Sequence, residues 1–239
     1  MKTIVIGPPG TGKTTTLLNL VDKYLKKTDP NKIGYFAFTQ KAAYEARDRA
    51  MEKFNLTEDD LPYFRTLHSL AFRRLGIQKD NVMQRRHYED LGKKLGFPVD
   101  YEDNEMDMNG IFSTKSDYLR IIQLSKLRNI PLEKQYDLKE HTQDVEFNKL
   151  KIIANELQRY KKEYNLVDFN DMIIDFTKSD TCPKFDVVFI DEAQDLSSMQ
   201  WDMAKTIWDK STDNYIAGDD DQAIFKWAGA DVNSFITLG

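Results

Sequence analysis

Met1-Lys2-Thr3-Ile4-Val5-Ile6-Gly7-Pro8-Pro9-Gly10-Thr11-Gly12-Lys13-Thr14 opens the chain, and its reading decides the fold. The β-branched run Thr3–Ile6 reads as a strand. It runs straight into Gly7, four residues, then Gly12-Lys13-Thr14, which is the pattern G-x-x-x-x-G-K-[ST]. A helix-prone stretch, Thr15 to Lys26, follows. Strand, glycine loop and helix in that order make a phosphate-binding loop. The glycines let backbone N–H groups turn inward around a phosphate chain. Lys13 places a point charge on the β- and γ-phosphates, the Thr14 hydroxyl can ligate Mg²⁺, and the helix N-terminus adds partial positive charge. The expected nucleotide-binding set is Gly7, Pro8, Pro9, Gly10, Thr11, Gly12, Lys13, Thr14 and Thr15. A nucleoside triphosphate is implied; what it drives is not.

The 239 residues suffice for one large or two small domains, and 41% hydrophobic with 31% charged residues suits a globular chain. Cys182 is the single cysteine, which excludes an intrachain disulfide and fits a reducing, cytoplasmic setting. No apolar run approaches the ~20 residues of a membrane span. A strand beginning at once leaves no room for a signal peptide. The net charge of −5 by itself argues against a nucleic-acid partner. Local charge matters more than the total. Arg65 to Lys94 carries eight basic residues against three acidic ones, while Asp100 to Asp107 has five acids and no base.

Thr3–Gly7, Ile33–Phe38 and Asp186–Ile190 read as buried parallel strands, with a shorter fourth at Tyr215–Ala217. Helical patterns lie between them at Lys13–Lys26, Lys41–Phe54, Leu67–Leu75 and Ser198–Asp209. Alternation of this kind predicts a parallel α/β sheet. From about Gln78 to about Tyr164 no strand is evident; Tyr118–Arg128 and Val145–Tyr164 have helical periodicity, and Asp103 to Gly110 reads as a loop. The expected organisation is an α/β domain of residues 1–77 and 165–239 with a mostly helical insertion, 78–164. The sheet is expected to resume near Val167, with Asp168–Phe176 as a helix.

Phe185-Asp186-Val187-Val188-Phe189-Ile190-Asp191-Glu192 is an apolar strand ending in two carboxylates. Beside a phosphate loop, Asp191 suits the metal and Glu192 suits a general base for the attacking water. Ile216 to Gln222 is a strand ending in a polar cluster. Gln222 can reach the γ-phosphate side, while Asp219–Asp221 can equally cap a helix. Phe38, Phe64, Phe225 and Trp227 lie in strand-end loops near the basic excess, as stacking on single-stranded nucleic acid requires at ~1–3 kcal/mol per base. Core packing is the competing reading for these rings. His68 has no Cys or His partner at ligand spacing, which excludes a zinc site, and no Ser-His-Asp arrangement is legible.

In this order the signals resemble the UvrD/Rep/PcrA family of superfamily 1 DNA helicases. Gly7–Thr14 resembles the family's motif I. Ala37-Phe38-Thr39-Gln40-Lys41-Ala42-Ala43 with Arg47 is similar to motif Ia, and Thr66-Leu67-His68-Ser69-Leu70 to motif Ib. Val188 to Asp195 is similar to the DExQD motif II, and Gly218 to Ala230 to motif III. Leu166-Val167-Asp168-Phe169 resembles the LxDF segment after the family's helical insertion. The resemblance covers about Met1–Leu75 and Leu166–Gly239. It implies a RecA-like P-loop NTPase sheet with a helical insertion, and ATP with Mg²⁺ as cofactors. Lys13 and Thr14 would bind phosphate and Mg²⁺, Asp191 and Glu192 would serve metal and water, Gln222 would couple the γ-phosphate to DNA, and Arg47 would approach the phosphates. Phe38, Thr66, His68, Phe225 and Trp227 would line the path of single-stranded or partly duplex DNA.

Some positions depart from the family. Thr15 stands where many relatives have an adenine-stacking arginine, Phe225 replaces a tyrosine, and Ala228 replaces the arginine of WRGA. An upstream adenine-reading glutamine segment is not expected, since the strand follows Met1-Lys2 directly. The eleven residues after Ala228 contain no Arg or Lys. The resemblance implies a second RecA-like domain with arginine fingers in the complete protein, so this chain alone is expected to be weakly active or inactive. Two other readings compete. One is a stand-alone nucleotide- or DNA-binding module; the other is a different P-loop enzyme such as a small-molecule kinase, against which Asp191-Glu192 and the Trp227 segment argue.

Overall fold

The computed structural model describes residues 2–7, 11–97, 116–141, 144–219 and 229–237. Five strands form one all-parallel sheet: β1 (Lys2–Ile6), β2 (Ile33–Ala37), β3 (Phe64–Arg65), β4 (Phe185–Asp191) and β5 (Ser211–Gly218), in the order β1-β5-β4-β2-β3. β2 is buried along its whole length and β4 at every residue but Asp186, because helices cover both faces of the sheet. That double burial is why both strands read as continuous apolar runs.

One face packs under α1 (Lys13–Leu25) and α2 (Gln40–Phe54). Tyr35, Ala37, Val187, Phe189 and Ala217 meet Leu17, Val21, Ala43 and Ala46 there. The alanines of α2 let that helix lie close to the sheet. On the opposite face Phe36, Val188, Ile190 and Ile216 pack against α3 (Leu67–Arg74), α8 (Phe169–Lys178), α9 (Ser198–Trp208) and α10 (Val232–Ile236). A third cluster joins α4 (Arg85–Leu95), α5 (Asp117–Leu127) and α7 (Phe147–Glu163) through Tyr88, Leu91, Ile121, Leu150, Ile153 and Leu157. A short helix, α6 (Leu132–Asp137), lies between α5 and α7. α5 serves two cores. Its Leu119, Ile121 and Ile122 face the third cluster, whereas Leu124 and Leu127 pack under the sheet.

The helix starts follow local chemistry. Thr39, Thr66, Asp168 and Ser197 each accept a backbone N–H of the first turn of α2, α3, α8 and α9. The sheet does not resume at Val167, as the sequence reading has it. Val167 forms only an isolated parallel bridge with Val82, and Asp168 immediately caps α8; the next sheet strand begins at Phe185. The Asp103–Gly110 loop lies outside the described residues. Among the described residues no helix is long and apolar enough to cross a membrane.

An ion cluster joins three of the helices. Lys161 of α7 donates to Asp168 and Asp171 at 2.6 Å each, and Lys126 of α5 donates to the same two carboxylates at 3.0 Å each. Lys161 is 3% exposed and Asp168 5%. Burial works against both charges. Lys126 and Lys161 nonetheless hold the Asp168 carboxyl below its usual range, and Asp168 and Asp171 hold the Lys126 ammonium above its own.

Candidate functional site

β1, β5 and β4 are neighbours, so their C-terminal ends bring together Gly7, Asp219 and Asp191-Glu192. Crevices outside the carboxyl ends of parallel strands are where open α/β sheets hold ligands. The Gly7 N–H donates to the Gly218 carbonyl at 3.4 Å, which fixes the loop's origin against β5. Gly12 has φ +82°, a left-handed conformation that a glycine adopts without strain, and it delivers the chain into α1.

Lys13 Nζ donates to the Gly7 carbonyl and lies 3.9 Å from Asp219 Oδ2. The Thr14 hydroxyl donates to Asp191 Oδ2 at 3.0 Å. The same oxygen accepts the Tyr35 hydroxyl at 2.8 Å. Burial raises the Asp191 carboxyl above its usual range. The Tyr35 hydrogen bond opposes that rise, the Glu192 charge adds to it, and the Thr14 bond opposes it again.

Glu192 follows in the left-handed region, φ 54°, and its N–H donates to Asp191 Oδ1 at 3.0 Å. This turn lifts the half-buried Glu192 side chain off the end of β4. Gln194 donates to Glu192 Oε2 at 2.8 Å and accepts the Asp219 N–H at 3.0 Å. Gly218 permits that approach. A Cβ there would stand 2.6 Å from Phe235 Cζ and 2.9 Å from Gln194 Oε1.

Asp195 is buried beside these groups, and burial followed by the Glu192 charge moves its carboxyl from 3.8 up to about 7. Between those two values the folded protein binds a proton that the unfolded chain does not, so this group's contribution to stability falls as pH rises through that window. We therefore expect Asp195→Asn to flatten the loss of thermal stability between pH 4 and 7, measured as Tm against pH. An unchanged slope would refute it.

The sequence reading gathers more residues at the site than the structure does. Lys13, Thr14, Asp191 and Glu192 converge, with Gly7 and Gly12 shaping the loop and Thr11 and Thr15 exposed at its surface. Arg47 does not turn to the loop. It pairs with Glu58 at 2.8 Å and with Asp48 at 3.1 Å, and lies 4.5 Å over the Tyr44 ring, because its place on α2 faces the turn that follows that helix. Phe38, Thr66 and His68 are 7%, 3% and 5% exposed, so none presents an open stacking face or polar edge. Phe38 belongs to the core under α3, and the Thr66 hydroxyl caps that helix at Ser69. His68 lies edge-on to Phe169, its Nε2 buried with no hydrogen-bond partner, and burial pushes its pKa down to about 4. Pro8, Pro9, Gly10, Gln222, Phe225 and Trp227 lie outside the described residues.

The sequence reading gives no role to Tyr35 or Gln194. Tyr35 carries a usable signal. A tyrosine in a fully buried strand needs a partner for its hydroxyl, and the register Tyr35↔Phe189, Ala37↔Asp191 sets Asp191 on its diagonal.

Residues 1–238 match the model of the UvrD/REP helicase N-terminal domain. The probable DNA helicase II homolog of Mycoplasma genitalium is 28% identical, over 98% of this chain and 35% of that protein. The ATP-dependent DNA helicase Rep of Buchnera aphidicola subsp. Baizongia pistaciae is 26% identical over 98% of this chain and 36% of that protein. The ATP-dependent DNA helicase PcrA of Staphylococcus aureus is 24% identical, over 98% and 33% respectively. The chain thus spans about a third of the length of these relatives.

Proposed function

The chain belongs to the UvrD/REP helicase family, matching its N-terminal domain, and from that premise we propose that it is the ATP-binding motor portion of a DNA translocase or helicase. The observation that carries the proposal is the meeting of Thr14 with Asp191, 3.0 Å apart, where Lys13 and Glu192 also converge. Lys13 neutralises the β- and γ-phosphates beside the helix start that Gly12 delivers. Thr14 and Asp191 are hard oxygen donors of the kind Mg²⁺ takes. Among the described residues no three His, Cys, Asp or Glu side chains cluster as a metal cage. Asp191 and Thr14 would be the protein's donors to such an ion. Mg²⁺ bound there would supply neutralisation of charge on the transferring phosphoryl group. Tyr35 keeps the Asp191 carboxylate aimed, and Glu192 orients a water and takes its proton.

Residues 1–77 and 165–239 form the motor portion in this reading and 78–164 the helical insertion, supported by the separate cluster of α4, α5 and α7. Gln222 senses the γ-phosphate, and Phe225 and Trp227 stack on single-stranded DNA. Phe38, Thr66 and His68 shape that path from beneath, as buried groups. Unwinding belongs to the protein that joins this domain to a second one supplying opposing arginines, working in the cytoplasm or at the nucleoid.

The direct test is Glu192→Gln in the complete protein, with its second motor domain present. With the carboxylate base gone and the phosphate loop intact, ATP hydrolysis stimulated by single-stranded DNA should fall at least about tenfold, a floor below the ~10²–10⁴-fold that a general base contributes, while nucleotide binding persists. Undiminished turnover rules the role out.

A further inference from the structure

We propose that Gln194 is a positioning residue that locks the Asp191-Glu192 turn to the exit of β5 through one side-chain amide. The proposal rests on the hydrolytic reading above. Gln194 is 4% exposed, and both ends of its amide are engaged. Nε2 donates to Glu192 Oε2 at 2.8 Å and to Asp195 Oδ2 at 3.4 Å, and Oε1 accepts the Asp219 N–H at 3.0 Å. Its orientation is fixed by its partners. Turned over, the amide would set its NH₂ against a backbone N–H and its oxygen against two carboxylates.

Two further features make the link rigid. Glu192 holds a left-handed backbone, which a residue with a side chain adopts when its surroundings impose it. Gly218 admits Gln194 Oε1 to a distance that no Cβ allows. The chain then returns to the same turn. Ala230 bridges Ser197, the Asp231 N–H donates to the Leu196 carbonyl at 2.8 Å, and Ser198 Oγ donates to Asp231 Oδ2 at 2.9 Å. Chain leaving β5 at Asp219 and chain arriving at Asp231 are thus both tied to residues 194–198. Any shift of the β5 exit is carried to Glu192 by Gln194, whereas Lys13, Thr14 and Asp191 make their contacts without it.

Two substitutions, made in the complete protein with its second motor domain, separate the halves of this link. Gln194→Ala removes both. Gln194→Glu keeps an oxygen for the Asp219 N–H and loses the donation to Glu192. We expect kcat for DNA-stimulated ATP hydrolysis to fall about tenfold or more in both variants, with KM and the Kd of a fluorescent ATP analogue within about threefold of wild type. Hydrogen exchange at the Asp219 amide should speed up about tenfold or more in Gln194→Ala and stay near wild type in Gln194→Glu. A general loss of structure would not give that split. Wild-type exchange at Asp219 in Gln194→Ala overturns the proposal. So does a kcat within twofold of wild type while Glu192→Gln is impaired. If hydrolysis proves insensitive to Glu192→Gln, the hydrolytic reading fails, and the exchange comparison decides the link on its own.

Discussion

Lys13→Ala should weaken ATP binding about 100-fold, or ~2.7 kcal/mol, while leaving the fold in place. The ammonium lies 3.9 Å from Asp219 Oδ2 and bonds the Gly7 carbonyl, so it sits among the acidic groups at the strand ends. Asp191 and Asp219 are buried at the strand ends, and Glu192 is half-buried beside them. Two unit charges about 4 Å apart interact by roughly 4 kcal/mol at an effective dielectric of 20. Part of that is offset by desolvation, which leaves the smaller figure. Thr14 still caps Asp191 and α1 still packs on the sheet through Leu17 and Val21, so the unliganded protein should unfold near its wild-type temperature. The readout is therefore differential. ATP at about 100 times the wild-type Kd should stabilise wild type by ~2.7 kcal/mol and Lys13→Ala by only ~0.4 kcal/mol. Lys13→Ala/Asp219→Asn should bind better than the single variant because one repulsive charge is gone. Equal ATP affinity in wild type and Lys13→Ala refutes the phosphate-loop assignment.

The parts of this site that were legible in the sequence are those whose chemistry is local. A phosphate loop needs a strand, glycines and a lysine within fourteen residues, and backbone geometry does the rest. Asp191-Glu192 was legible for the same reason, since an apolar run ending in two acids fixes both at a strand end. β2 and β4 read well because burial on both faces leaves continuous apolar runs, whereas β5 is legible only over Tyr215–Ala217 because its first half, Ser211 to Asn214, is polar. β3 is only Phe64–Arg65, too short for any period, and owes its strand character to Tyr35 and Phe36 alongside it. α4 shows no clear period in the sequence because Tyr88, Leu91 and Gly92 are its only buried residues amid charged ones.

Side-chain direction was the harder matter. Thr66-Leu67-His68 reads equally as an exposed polar edge or as a helix start. The Thr66 cap settles it by turning the His68 face of α3 inward toward Phe169. Arg47 finds Glu58 eleven residues along, a pairing that depends on where the chain goes after Asn55 ends α2. Gln194 was in view as part of a motif, yet its role depends on Asp219, twenty-five residues away. A residue's type is local information, and its partner is a product of the whole fold.

Lys161 owes its role to partners brought in by the fold, and its loss should be the most damaging to stability. We expect Lys161→Met to cost about 3–5 kcal/mol, because removing one partner of a buried pair leaves charge uncompensated. For a chain of this length that is a fall in Tm on the order of 10 °C. The methionine fills most of the volume, so the loss is one of charge rather than packing. Lys126 alone would then face both Asp168 and Asp171, and it is the more exposed of the two lysines. Asp168 also caps α8, so its repulsion by Asp171 would be felt at the start of that helix and in the packing of α7 against it. Adding Asp168→Asn keeps a capping oxygen and removes one carboxylate, so the double variant should recover part of the loss. The pH dependence has a definite sign. The Asp168 carboxyl is held below its usual range, so the stability it brings is present at neutral pH and is lost as pH falls below about 4. Wild type should therefore approach the Lys161→Met variant in stability as the solution is acidified. Urea unfolding at pH 7 and at pH 3 measures both effects, and equal midpoints for the two proteins at pH 7 would show that the cluster does not hold α7 to α8.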